Sequence, residues 1–303
     1  MRRAFVLGNC QAEGLSEWMR AAAPGVPIEN ASIAGVAPGD PGAAAAWSGM
    51  IDRSDTVFCQ LTDGQLAGYN LPSPGDMARA GKTFLRLPVV AFKGFQPDCT
   101  YVFTGGHAAT GAMGPYHSAI AVAAFLEGLS VERALGLFNT FVYAALGYFA
   151  EFETASAVLL ETAAEMGLDL SAGVRRGGPV FMHTINHPGI AILGEVAFQA
   201  LARAGIASSS NAPAPRDALG DSFRWPVYPE IAARLDVPGS LTFQRSSAGG
   251  EDLMDLPAVV RATFASLEAL QAASGPIVLD RDRPMATPVI ERAQAFIRRH
   301  VVA

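Results

Sequence analysis

A cysteine set directly behind a glycine and an asparagine, in Gly8-Asn9-Cys10-Gln11, follows a short apolar run at residues 3–7 and precedes an amphipathic stretch at 11–23. Gly8 and Asn9 tolerate the positive φ of a sharp strand-to-helix turn, which predicts Cys10 at the first turn of a helix. Free N–H groups and the helix dipole favour an anion there, so the thiol is expected to shift toward thiolate. The same N–H groups suit an oxyanion. The competing reading makes Cys10 a small buried apolar residue. Cys59, inside an apolar run, and Cys99, in a turn after Pro97, read as structural.

A thiol nucleophile needs a base, and the histidines are few. Two of the five fall in Phe181-Met182-His183-Thr184-Ile185-Asn186-His187-Pro188, read as a strand running into a loop, with Pro188 opening a helix. His187 would then sit at a helix N-terminus, where the dipole keeps imidazole neutral and ready to accept a proton. His183 and Asn186 share this polar cluster as candidate binding residues; the alternative is a hydrogen-bonded structural loop. His117, behind the Gly114-Pro115 turn, is either a ligand contact or an ordinary residue at a helix start. His107 and His300 carry little signal. A phosphate could be held by Arg175-Arg176 before Gly177-Gly178, although a solvated basic turn explains the pair slightly better. That turn belongs at the amino end of the strand expected at 179–183, whereas Lys93 closes the carboxyl end of the strand expected at 87–92. Lys93 therefore ranks above the arginines.

Other chemistries lack their residues. His183 and His187 have metal-ligand spacing only on one helix, which Pro188 opposes, and no nearby carboxylate completes a site, so no metal is expected. Neither a Gly-x-x-x-x-Gly-Lys-Ser/Thr loop nor Gly-x-Gly-x-x-Gly after the first strand is present.

The elements that must position these groups alternate. Short apolar runs at 3–7, 56–61, 87–92, 101–104 and 179–183 read as strands, and helical periodicity covers 11–23, 118–127, 130–150, 155–166, 190–204, 256–273 and 288–300. Thr287 is the expected cap of the last helix, with Pro288 in its first turn. The pattern predicts a three-layer α/β fold with a mostly parallel sheet and helices on both faces. It reads as one domain over residues 1–303, with a loop-rich excursion at about 208–239, an Ala-rich insert at 43–46 and a loop at 64–75. In such a fold the ligand sits beyond the carboxyl ends of the strands.

Composition sets the outer limits. Half of the 303 residues are hydrophobic and 17% are charged, against roughly a quarter in an average domain, so a large core is expected. With 22 Lys+Arg, 28 Asp+Glu and a net charge of -6, no general attraction to nucleic acid or anionic membranes is expected. Three scattered cysteines form no disulfide scaffold and point to a reducing, cytoplasmic setting. Residues 3–7 are too short for a signal h-region, and the uncharged stretch at 134–150 falls short of the about 20 residues of a membrane span.

Taken together, Gly8-Asn9-Cys10-Gln11, the run from Ser54 to Gln60, the run from Leu87 to Asp98 and Thr184-Ile185-Asn186-His187-Pro188 resemble the WcbI-type polysaccharide biosynthesis proteins, over roughly residues 1–236. The resemblance implies a coenzyme A-binding α/β protein that O-acylates, most simply O-acetylates, a sugar of a capsular or other surface polysaccharide. It assigns the catalytic Cys and His to Cys10 and His187 and the family's glutamines to Gln11 and Gln60. Gln11, through its backbone N–H, and Gln60, through its side chain, are the expected oxyanion donors. Asn9, Lys93, His117, His183, Asn186, Arg175 and Arg176 are the candidate coenzyme A contacts. The order of elements also resembles the SGNH hydrolases, with Cys10 in place of serine, but their Asp-x-x-His is here Thr184-x-x-His187. A cysteine-dependent esterase and a non-catalytic coenzyme A-binding protein are the alternatives.

Overall fold

Strand β1 (Ala4–Gly8) is apolar and buried along its whole length, as an inner strand covered on both faces must be. Helix α1 (Ala12–Ala22) follows, with Leu15, Trp18, Met19 and Ala22 on its buried side. The computed structural model describes residues 2–247, 250–280 and 286–302. They form two compact units: Met1–Ala91, Val158–Arg175 and Asn186–Gly220 in the first, and Phe92–Ala157, Arg176–Ile185 and Asp221–Ala303 in the second.

The first unit is built on a four-stranded parallel sheet of order β2-β1-β3-β4. Its other strands are β2 (Ile28–Ser32), β3 (Thr56–Cys59) and β4 (Thr83–Arg86), and Ala4 of β1 stands opposite both Ile28 and Thr56. Alternation along the strands sorts the side chains by face. Phe5, Leu7, Val57 and Cys59 pack with Trp47 and Ile51 of α2 (Pro41–Asp52), Leu66 of α3 (Asp63–Gly68) and Met77 of α4 (Pro74–Arg79). Each large apolar side chain so enclosed contributes about 1.5–3 kcal/mol. Helix α1 packs on β1 and β2 without entering that cluster, so helices flank the sheet. It also lies along the helix Ile190–Arg203. There the Trp18 indole N–H donates to Ile190 O at 2.6 Å, and a Cβ on Gly194 would come within 2.9 Å of the indole. Only glycine permits that approach.

The alanines of 43–46 lie in α2, which starts at Pro41 and is capped by Asp40 accepting from Ala43 N at 2.7 Å. Two other expectations need correction here. The loop expected at 64–75 contains α3 and α4, each closed by a capping box, Thr62 with Gln65 and Ser73 with Asp76. The strand expected at 87–92 lies instead at Thr83–Arg86. Only Leu87 N continues the ladder, to Cys59 O at 2.8 Å, because Pro88 has no N–H to pair.

The second unit holds small antiparallel sheets rather than more of the expected parallel one. Cys99–Tyr101 pairs with Tyr116–Ser118, and a three-stranded sheet joins Phe223–Arg224, Thr242–Ser247 and Gly250–Asp255. The run at 101–104 is split between Cys99–Tyr101 and Phe103–Thr104. The run at 179–183 forms no strand: His183 O accepts from Trp225 N at 2.7 Å and Ile185 O from Phe92 N at 2.8 Å, so its bonds go to two separate segments. The helix expected at 130–150 is broken into Val131–Leu135, Thr140–Ala145 and a 3-10 turn at Tyr148–Ala150. Asn139 caps the middle piece and Gly147, at φ 78°, starts the last. Thr287 does not cap the helix Thr287–Ile297; its hydroxyl donates to Asp280 O at 2.7 Å. Within the expected excursion at 208–239, the strand Phe223–Arg224 and the helix Pro229–Leu235 are regular.

At the centre of this unit the buried carboxyl of Asp98 accepts from Ile120 N at 3.0 Å, Tyr148 OH at 3.0 Å and Tyr228 OH at 2.8 Å, and also from the Ser118 hydroxyl. Burial nonetheless pushes its pKa up.

Candidate functional site

Cys10 lies in the turn between β1 and α1, half-buried. The turn does not use positive φ at Gly8 or Asn9. Asn9 closes it instead, its Oδ1 accepting from Gln11 N at 2.9 Å and its carbonyl from Ala12 N at 3.0 Å. Gly8 has another use: a Cβ there would lie 2.2 Å from Gln60 Oε1, so a larger residue would displace the Gln60 amide. The expected shift toward thiolate is also reversed. Burial pushes the Cys10 thiol above its ordinary value, and its own backbone N–H offsets only part of that. The rate of Cys10 alkylation by iodoacetamide, followed by peptide mass spectrometry, is therefore expected to keep rising beyond about pH 8.5, the midpoint of an unperturbed thiol. A plateau already reached near neutrality would show the opposite shift.

Gln11 is fully buried and spends its side chain on structure. Its Nε2 donates to Val90 O at 2.9 Å and Asn186 O at 3.0 Å, and its Oε1 accepts from Val90 N at 3.0 Å and Gln60 Nε2 at 3.1 Å. The amide thus pairs both backbone groups of Val90, as a neighbouring strand would. Gln60, 6% exposed, donates through the same nitrogen to Pro88 O at 3.0 Å, leaving its Oε1 buried without a partner among the described residues. Two glutamine side chains therefore pin the irregular segment after β4. The oxyanion roles expected of these residues meet an obstacle: the Gln11 backbone N–H is engaged by Asn9, and the Gln60 amide nitrogen already donates to Gln11 and Pro88.

His187 is half-buried in the loop before the helix Ile190–Arg203, which Gly189 rather than His187 caps. The first turn of that helix is taken by Asp217, whose Oδ2 accepts from Ile190 N at 3.1 Å and Oδ1 from Gly220 N at 3.2 Å. Sequence spacing gives no sign of this carboxylate, because it lies in the aperiodic stretch at 208–239. Gln11, the neighbour of Cys10, hydrogen-bonds Asn186, the neighbour of His187. One side chain thereby ties the two loops together.

Cys10, Gln11, Gln60, Asn9, Asn186, His187 and Arg175 belong to the first unit, and Lys93, His117, His183 and Arg176 to the second. His117 corrects the expectation of a ligand contact. Its ring is 1% exposed within the strand Tyr116–Ser118, Nε2 bonds Ala109 O at 3.2 Å, and burial pushes its pKa down, keeping it neutral. Lys93 is half-buried, and desolvation lowers its pKa. Arg175 is exposed and bonds Ala172 O at 3.3 Å; Arg176 is held by Glu153 and by Arg234 O at 3.0 Å. Cys59 and Cys99 are buried, with thiols pushed up by desolvation, as structural cysteines are. Among the described residues no cluster of three metal-ligating side chains occurs, and no helix is long and apolar enough to cross a membrane.

A family model described as the polysaccharide biosynthesis enzyme WcbI matches residues 3–209. No curated protein matches the sequence. A solved structure matches 96% of this chain and 99% of its own, with a TM-score of 0.65 and 14% identity. That protein is described as native WcbI, a novel polysaccharide biosynthesis enzyme, without a disulfide bond between coenzyme A and one of its cysteines.

Proposed function

The chain belongs to the WcbI family of polysaccharide biosynthesis enzymes, and from that premise we propose that it transfers an acyl group, most simply acetyl, from acyl-coenzyme A to a sugar hydroxyl, with Cys10 and His187 as its catalytic residues. The observation that carries the reading is the hydrogen bond from Gln11 to Asn186, which holds the cysteine turn and the histidine loop to one another. The description of the WcbI structure names coenzyme A together with a cysteine, and Cys10 is the one cysteine of three here that is not fully buried.

Because burial keeps the Cys10 thiol protonated, it needs a base to become a nucleophile. His187 takes the thiol proton as sulfur attacks the thioester carbonyl. The coenzyme A sulfur leaves with the acyl bond broken and receives that proton. The sugar hydroxyl then attacks acyl-Cys10, its proton passing through His187 to the departing Cys10 sulfur. Gln11 and Gln60 are positioning residues in this scheme, since their side chains hold the framework around Cys10 rather than reach outward.

In a single turnover with acetyl-coenzyme A, quenched and digested, the Cys10 peptide is expected to gain one acetyl group. His187→Ala should slow release of the free thiol by about 100-fold or more, the usual weight of a general base. Unmodified Cys10 peptide from an enzyme that turns over would exclude the covalent route in favour of direct transfer. Steady hydrolysis of simple esters without any thermal stabilisation by coenzyme A would instead identify an esterase, because a saturated site adds about 2.7 kcal/mol at a hundredfold excess over its dissociation constant.

A further inference from the structure

Attack of a thiol on a thioester puts negative charge on the carbonyl oxygen, and the donors expected to meet it are spent. The Gln11 N–H and the Gln60 amide nitrogen are both engaged, and the Cys10 N–H faces its own sulfur. The oxyanion therefore calls for a donor from another element. The register of the sheet narrows the choice. Phe5 and Leu7 of β1 enter the cluster on the α2 side, so alternation sends Val6 and Gly8 to the face on which α1 packs. Ala31 of β2 belongs to the same α2 cluster, and Ser32 stands opposite Gly8, which sets Ser32 on the α1 face at the carboxyl edge. The ladder holds to that edge, with Ile33 N donating to Gly8 O at 2.9 Å. Gln60 flanks Gly8 on the other side, its N bonding Leu7 O at 2.9 Å. Ser32 is thus one strand spacing, about 4.8 Å, from the residue that precedes Asn9-Cys10, on the face where the helix after Cys10 begins.

Two other polar side chains near this edge have different duties. Arg86 stands opposite Cys59, on the α2 face, and pairs with Asp63. Thr62 turns its hydroxyl to Gln65 in the α3 capping box. Ser32 is half-buried, and its Oγ accepts from Ala34 N at 3.1 Å. That bond holds the oxygen in place and uses none of the hydroxyl's capacity to donate. We infer that Ser32 is a further catalytic residue, whose hydroxyl donates to the carbonyl oxygen of the acyl group as Cys10 attacks it. The inference rests on the acyl-transfer reading above. In that step the Cys10 sulfur bonds the carbonyl carbon while His187 takes the thiol proton, and the carbonyl π pair moves onto the oxygen that Ser32 holds. When the pair returns, the bond from carbon to the coenzyme A sulfur breaks, and that sulfur takes the proton from His187.

Two reactions of the same thiol separate this role from a structural one. Acetylation of Cys10 passes through an oxyanion, whereas alkylation by iodoacetamide displaces iodide at a saturated carbon and forms none. In single turnovers of the full chain with acetyl-coenzyme A and, separately, p-nitrophenyl acetate, Ser32→Ala should slow Cys10 acetylation by about 100-fold, the usual cost of one oxyanion donor. Its rate of alkylation should stay that of the wild type. Ser32→Thr, which keeps the hydroxyl, should recover most of the acetylation rate. Equal slowing of acetylation and alkylation would make Ser32 a structural residue, and unchanged acetylation would remove it from the site; either result overturns the inference. If wild-type Cys10 takes acetyl from p-nitrophenyl acetate alone, the coenzyme A reading falls and the ester rates decide the role of Ser32 by the same criterion. A Cys10 that takes acetyl from neither reagent overturns both.

Discussion

Replacing Gln11 by methionine is expected to lower the free energy of unfolding by about 4 kcal/mol or more, a loss far larger than that of an average substitution. Methionine keeps the length of the side chain but neither accepts nor donates. Val90 N–H, Val90 C=O and Asn186 C=O would lose their bonds to Gln11, and Gln60 Nε2 would keep only Pro88 O. A buried polar group left without a partner costs about 1–3 kcal/mol, and because these four bonds share one residue the costs will not simply add. Urea unfolding monitored by tryptophan fluorescence reads the change; a loss under about 1 kcal/mol would show that water or a shifted loop replaces these bonds. The same variant should lose activity beyond its loss of stability, because Asn186 precedes His187 and is released with it.

The second large effect lies in the other unit. Removal of the Asp98 carboxyl as Asp98→Ala should cost about 3–5 kcal/mol, since it strands two tyrosine hydroxyls, a serine hydroxyl and a backbone N–H in a dry interior. Asp98→Asn separates the charge from the hydrogen bonding. Burial outweighs the four donors and raises the folded-state pKa, so the folded protein holds this proton more tightly than the unfolded chain. Its contribution to stability is therefore complete below the unfolded value of about 3.9 and is lost as pH rises through the raised folded value. The stability of the wild type relative to Asp98→Asn should fall with increasing pH across that window. A difference that grows with pH would mean that the donors, not burial, dominate.

These two residues also show where sequence reasoning stops. Local spacing sufficed for β1 and α1, because an apolar run followed by Leu15, Trp18, Met19 and Ala22 on one face leaves little choice of structure. It sufficed as well for the helices at 119–126, 190–203 and 256–274. The capping boxes at Thr62 and Ser73 are equally legible in their Thr-x-x-Gln and Ser-x-x-Asp spacing, which marks the starts of the two short helices within 64–75. Helix-breaking signals at Gly136, Asn139 and Gly147 were outweighed by the uncharged, apolar character of 130–150. Apolar character describes burial, and a buried irregular segment shares it with a helix.

What the sequence determined by itself is the strand-turn-helix unit that opens the parallel sheet, the place of Cys10 in its turn and the family to which that combination belongs; the second strand, Ile28–Ser32, was not legible. The legible features follow from residues a few positions apart, whose propensities and periodicity act before any tertiary contact forms. Only the tertiary structure decided that Gln11 is a clamp, since its partners lie 79 and 175 positions away. It also decided that the Cys10 thiol is raised rather than lowered, because desolvation depends on everything packed around the sulfur and not on the helix that follows it. The same holds for the pairing of Arg224 with Gln244, which the register of the three-stranded sheet brings together. Register is fixed by burial of Phe243 and its neighbours, a long-range condition that no single stretch of the chain records.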